Sequence, residues 1–168
     1  MNGKSPDESQ LDLEEIIERN GGQRRNVLSM LHDMQLETPG HYIKQTDLKS
    51  LARALDLPYS ELHSVVTFYS MFSTKPRGEY IIRVCESGPC ALLGADTIFD
   101  VIQEELNVDL YDTTDDGLFT LEPSSCLGIC GVAPAMMINQ ETYGNLTPNR
   151  IREILEGYRA QSKQGVSA

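Results

Sequence analysis

Residues 79–90 read EYIIRVCESGPC. Tyr80, Ile82 and Val84 fall on one face of an alternating run, so the spacing predicts a strand over Glu79–Cys85. That strand ends on a cysteine, and Cys90 follows in a Gly-Pro loop. Residues 124–134, SSCLGICGVAP, repeat the device: Cys126 and Cys130 come just after a second expected strand, Leu118–Glu122. Between the strands, Ile98, Val101 and Ile102 recur at helical spacing and predict a helix over Ala95–Leu106. A right-handed β-α-β unit makes the two strands parallel, so both cysteine loops open on one sheet edge.

The chain continues in the same style. Ala135–Ile138 is an apolar strand, and Glu141–Asn145 is its hairpin partner after a turn at Asn139-Gln140. Thr147-Pro148 is a helix start, a capping hydroxyl followed by proline at the first helical position. The helix after it places Ile151, Ile154, Leu155 and Tyr158 on one side. The order β-α-β, then β-β-α, gives a mixed sheet with helices. Upstream of Lys75-Pro76-Arg77-Gly78 the texture is different. Four short amphipathic helices are expected, near 9–19, 24–36, from an N-cap at Thr46 to Pro58, and from Ser60. The expected organisation is a helical bundle over 1–77, an α/β domain over 78–160 and a tail over 161–168.

Composition excludes several classes. With 168 residues, 25 acidic and 14 basic, the chain carries a net charge of −11, which argues against nucleic acid as a partner. No apolar run is long enough for a membrane span, and residues 1–15 contain no secretory h-region, so a cytoplasmic protein without membrane insertion is expected. There is no G-x-G-x-x-G after a strand and no phosphate-binding G-x-x-x-x-G-K-[ST]. No nucleophilic or acid–base set is visible in the α/β part, so no catalytic residue is expected.

The four cysteines therefore carry the chemistry. Their pattern is C-x4-C, then 35 residues, then C-x3-C. Disulfides suit secreted chains and fit poorly here. Structural zinc prefers tight C-x2-C knuckles. Dithiol redox chemistry needs C-x-x-C with a thiol at a helix N-terminus. A [2Fe–2S] cluster needs four thiolates on loops able to wrap a flat rhomb, and it matches the wider spacings better. Gly88, Gly128 and Gly131 would let backbone approach it. The histidines, His32, His41 and His63, all lie outside the 85–130 interval, which disfavours a Rieske centre. A zinc-binding adaptor stays open as the alternative.

VCESGPC, then PSSCLGICGVAPAMMIN, then NLTPNRIREIL resembles the thioredoxin-like [2Fe–2S] ferredoxin family, over about residues 10–160. Within that family the sequence resembles the small peripheral E subunit, the 24 kDa type, of NADH:quinone oxidoreductase (complex I). Its equivalents occur in NAD(P)-linked hydrogenases, electron-bifurcating ones included, and in formate dehydrogenases. The resemblance implies a thioredoxin-like α/β domain behind a small four-helix N-terminal domain. It implies one [2Fe–2S] cluster on Cys85, Cys90, Cys126 and Cys130. It also implies a flavoprotein partner holding FMN, NAD(P) and a [4Fe–4S] cluster, beside other iron–sulfur subunits. The segment VVTFYSMF (65–72) fits the resemblance too, whereas Ala91 stands where many members have histidine after the second cysteine.

Charge placement adds an expectation. From Val84 to Asn149 there are eleven acids, among them Glu86, Asp115, Asp116 and Glu122, and no Lys or Arg. Carboxylates near a cluster oppose its reduction, so a low potential, about −400 mV, is expected. In the helical part, exposure of Tyr69, Met71 and Phe72 would mark a docking platform.

Overall fold

A computed structural model describes residues 11–165. The chain divides into two compact units, 1–77 and 78–168.

In the first unit α1 is Leu13–Arg19, α2 Val27–Glu37, α3 Gln45–Ala54 and α4 Tyr59–Phe68, with a 3-10 turn at Arg24–Asn26 leading into α2. Helix α1 starts where Asp12 accepts the Glu15 N–H at 3.1 Å, and it stops at Asn20 before two glycines in the left-handed region. Asn20 also donates to Asp33 at 2.8 Å, and Arg19 pairs with Asp33 and Glu37, tying α1 to α2. The apolar stripes meet in a core built on Ile16, Met30, Leu31, Met34, Leu48, Leu51 and Leu62.

Two expected boundaries move. Thr46 lies inside α3 and its hydroxyl meets Asp47; Lys44 occupies the cap position. Helix α3 ends at Ala54, before Asp56 turns into the left-handed region, so Pro58 caps α4 and does not stop α3. The reason is proline's own geometry: its extended ψ and fixed φ suit the residue before a helix.

In the second unit β1 is Tyr80–Cys85, β2 Phe119–Ser124, β3 Met136–Ile138 and β4 Glu141–Tyr143. Sheet order is β2-β1-β3-β4. Strands β1 and β2 are parallel, and β3 runs antiparallel to both β1 and β4. Helix α5 is Gly88–Leu92, α6 Ala95–Leu106 and α7 Pro148–Gly165. Ile82 and Val84 share a core with Ile98, Ile102, Leu121, Ile151 and Leu155, which seats α6 and α7 against the sheet. Left-handed residues Gly94 and Asn107 bracket α6. The Thr147 hydroxyl accepts the Arg150 N–H at 3.3 Å at the start of α7, as its Thr-Pro start requires.

Two differences concern the edges of this unit. The tail expected from Gln161 is helix as far as Gly165, because residues 158–164 contain no proline or glycine to end it. Helix α5 replaces what reads in sequence as an open loop. Pro89 sits in its first turn, where its missing N–H costs nothing.

The segment before β2 pairs along the β2 edge of the sheet. Thr113 bridges to Thr120, Tyr111 N–H donates to Leu121 O at 2.7 Å, and Leu121 N–H returns to Asp112 O. Gly78 allows β1 to begin beside this strand, since a Cβ there would lie 2.9 Å from backbone atoms of Leu118 and Phe119.

Candidate metal centre

The central strand delivers the first cysteine. Cys85 is the last residue of β1 and is registered beside Ser124, the last residue of β2. Its N–H donates to Ala135 O at 3.0 Å, and the next residue, Glu86, donates to Ser124 O at 3.0 Å. Thus the chain leaving β2 towards Cys126, and the chain entering β3 from Cys130, both flank Cys85. The parallel pairing expected from the crossover puts both cysteine loops at one edge of the sheet.

Four thiols arrive there as two unlike pairs. Cys85 and Cys90 are buried, the latter on α5, and pack with Ala95 and Ala135 under Leu127, Ile129 and Ala133. Cys126 and Cys130 are exposed, with their sulfurs 3.5 Å apart. Cys130 begins a 3-10 turn, Cys130–Val132, pinned from the segment after β4 by Asn145 N–H to Val132 O. Among the described residues no three His, Cys, Asp or Glu side chains gather around a single point that could hold one metal ion. The grouping is two and two.

Backbone amides point at these sulfurs. Burial alone would push the Cys85 thiol up, but the N–H groups of Ser87 and Leu127, with the side chains of Cys90 and Ser87, hold it below the ordinary thiol value. Burial raises Cys90, and neighbouring Cys85 adds to the rise while the Ala135 N–H opposes it. Contact with Cys126 raises Cys130. Gly128 N–H lies 3.4 Å from Cys126 Sγ. Leu127 therefore links the second loop to the first cysteine.

The three glycines have unequal roles. Nothing lies within 4 Å of a Cβ built on Gly88, Gly128 or Gly131, so space is open beside all three. Only Gly128, at φ +80°, has a backbone that demands glycine.

The acids singled out in the sequence do not converge on this edge. Asp115 and Asp116 precede β2 and sit at the opposite end of that strand from Ser124. The Asp116 carboxyl is held low by the Thr114 hydroxyl and the Leu118 N–H. Glu122 faces Arg83 across the β1–β2 ladder, Nε to Oε2 3.2 Å. That arginine stands one residue before the cation-free stretch, so a count along the chain passes over it. Glu86 alone of the four adjoins a cysteine.

One feature of the edge has no sequence forerunner. Leu92 and Leu93, at the end of α5 just after Cys90, are 88% and 60% exposed, and Val132 beside Cys130 is partly so. An unpaired Leu-Leu after a Gly-Pro-Cys turn is the signal that would have pointed to it. In the helical unit, Phe72 is buried, whereas Met71 and Phe68 are exposed. Of the three residues whose exposure would mark a docking platform, Met71 is exposed, Tyr69 is half-buried and Phe72 turns inward against Tyr69. The histidines His32, His41 and His63 all lie in the helical unit.

Known proteins share this fold. The model of the thioredoxin-like [2Fe-2S] ferredoxin family matches residues 13–159. The chain belongs to that family. The E subunit of NADH-quinone oxidoreductase from Mycobacterium tuberculosis H37Rv is 37% identical over 153 residues, which are 91% of this chain and 60% of the relative. The chain thus spans less than two thirds of the mycobacterial relatives' length. The same subunit from Rickettsia felis is 36% identical over 155 residues, 90% of this chain and 92% of the relative. The HndA subunit of the NADP-reducing hydrogenase of Solidesulfovibrio fructosivorans is 31% identical over 147 residues, 88% and 85% of the two chains. Among solved structures, an air-oxidised NAD+-reducing [NiFe]-hydrogenase shares the fold, with a TM-score of 0.69 at 23% identity, over 80% of this chain and 23% of that one. The relatives are subunits of oxidoreductases. Among the described residues no helix is long and apolar enough to cross a membrane.

Proposed function

We propose that this chain is an electron-transfer subunit of an NAD(P)H-linked multisubunit oxidoreductase, holding one [2Fe–2S] cluster on Cys85, Cys90, Cys126 and Cys130. The observation that carries the reading is the delivery of two thiol pairs to one sheet edge by parallel β1 and β2, with amide donors from Leu127, Gly128 and Ala135 around them. A cluster with two irons takes two thiolates on each, whereas a lone zinc ion takes four around one point. The pairing of Cys126 with Cys130, sulfurs 3.5 Å apart, and of Cys85 with Cys90 supports the first.

The bound cluster would supply a one-electron acceptor and donor. The chain's own residues would do the rest. The amides offset negative charge on the sulfurs. Leu127, Ile129 and Ala133 cover the buried pair and limit water there. The exposed Leu92-Leu93 ridge gives a partner an apolar seat next to Cys90. In this reading the partner is a flavoprotein with FMN, NAD(P) and a [4Fe–4S] cluster, other iron–sulfur subunits belong to the same complex, and the assembly faces the cytoplasm. The names of the relatives support complex I or a hydrogenase as the parent.

Metal and sulfide analysis of the purified chain tests this. About two irons and two acid-labile sulfides per chain, with visible absorption, are expected. One zinc and a colourless protein would establish the adaptor instead.

A further inference from the structure

The helical unit carries an apolar groove. It lies between the Arg24–Asn26 turn with α2 on one side and α4 on the other, and encloses about 240 Å³. Val27, Leu28, Leu62, Val65 and Tyr69 line it together with the charged Arg24, Arg25 and Glu61. That volume is below the roughly 300 Å³ at which small-molecule sites begin, so it suits a side chain better than a cofactor. Leu28 remains 42% exposed. Phe68, 79% exposed, stacks edge-on against Tyr69 with ring centroids 5.0 Å apart and extends the apolar surface beyond the groove. Large apolar side chains left open beside a cleft mark an interface.

The charged lining residues differ in their partners. Arg24 is committed to Glu61 at 2.7 Å. Arg25 is exposed and meets no carboxylate among the described residues. Such a cation at an apolar cleft, on a chain of net charge −11, attracts acidic segments to a place where the rest of the chain repels them. The chain's own residues 1–10, MNGKSPDESQ, have Met1 as their single large apolar residue and make a poor plug.

We propose that this groove docks an amphipathic helix of another subunit, one that inserts a Leu or Phe between α2 and α4 and sets a carboxylate against Arg25. Two helices with a cleft between them present the ridges that a third helix needs. The inference rests on the reading of this chain as a subunit of a larger oxidoreductase, and it concerns a surface separate from the cysteines.

The test uses the full chain in its native complex. A photo-reactive phenylalanine analogue at position 68 is cross-linked, and the joined peptide is sequenced by mass spectrometry. The expected peptide belongs to another subunit and carries a large apolar residue within one turn of Asp or Glu. Arg25→Glu should weaken retention of that subunit about tenfold, and a matching acid-to-lysine change in the peptide should restore it. Unchanged retention with Arg25→Glu, or cross-links to residues 1–10 or to a second copy of this chain, would overturn the proposal. Iron and sulfide are counted on the same samples. A chain lacking both that still gives the expected cross-link would sink the cluster reading and leave the groove assignment standing.

Discussion

Cys85 and Ser124 end neighbouring parallel strands in register, and Cys126 lies only two residues beyond Ser124. This alignment brings loops some 40 residues apart in sequence to a common edge, and each prediction about the site depends on it. Changing any one cysteine to serine should lower iron and sulfide per chain. The outcome is read by colorimetric iron assay and by EPR of the dithionite-reduced protein. A serine variant with the parent's iron content and spectrum would remove that residue from the ligand set.

Gly128 holds φ +80°, where an L side chain is strained even though space around it is open. Gly128→Val should therefore cost about 1–2 kcal/mol by backbone strain alone. Thermal unfolding of the cluster domain should show it as a lower Tm, with faster loss of visible absorbance. Gly131→Ala, at a position with ordinary φ and the same open space, should leave both unchanged.

Arg83 offsets Glu122 two residues in from the cysteine edge. Replacing Arg83 with Met removes that guanidinium from beside Glu122 and should lower the cluster's midpoint from about −400 mV, on the order of tens of millivolts. Glu122→Gln should raise it. An EPR-monitored redox titration of both variants checks the opposite signs. Equal shifts in one direction would show that the pair acts by structure and not by charge.

Asp33 has its carboxyl held below the usual carboxylate range by the Asn20 amide and by Arg19. A depressed carboxyl contributes stability that is present above the unfolded value and is lost as pH falls through the folded one. Urea unfolding should thus show a falling midpoint below about pH 4. Asp33→Asn should be less stable than the parent at pH 7 and should lose less on acidification. Parallel acid limbs for the two proteins would assign the acid sensitivity to other groups.

Most of the cluster domain was legible from one line of residues. The alternation of Tyr80, Ile82 and Val84, the helical spacing of Ile98, Val101 and Ile102, and the Thr147-Pro148 start each act within a few positions. They appear as β1, α6 and α7. The parallel pairing followed from handedness alone. Helix α5 escaped because five residues give almost no periodic signal, and Gly-Pro reads equally well as loop.

Local chemistry and a fixed chirality were enough for most element types, α5 excepted, for the strand direction and for four cysteines in two pairs. Tertiary structure decided the rest. It made one cysteine pair buried and the other exposed, sent Phe72 inward and left Phe68 and Leu92 outside. It also moved Asp115 and Asp116 to the far end of β2 and set Arg83 against Glu122. A charge or an apolar side chain acts through distance in space, and strand register, not chain order, fixes which residues become neighbours.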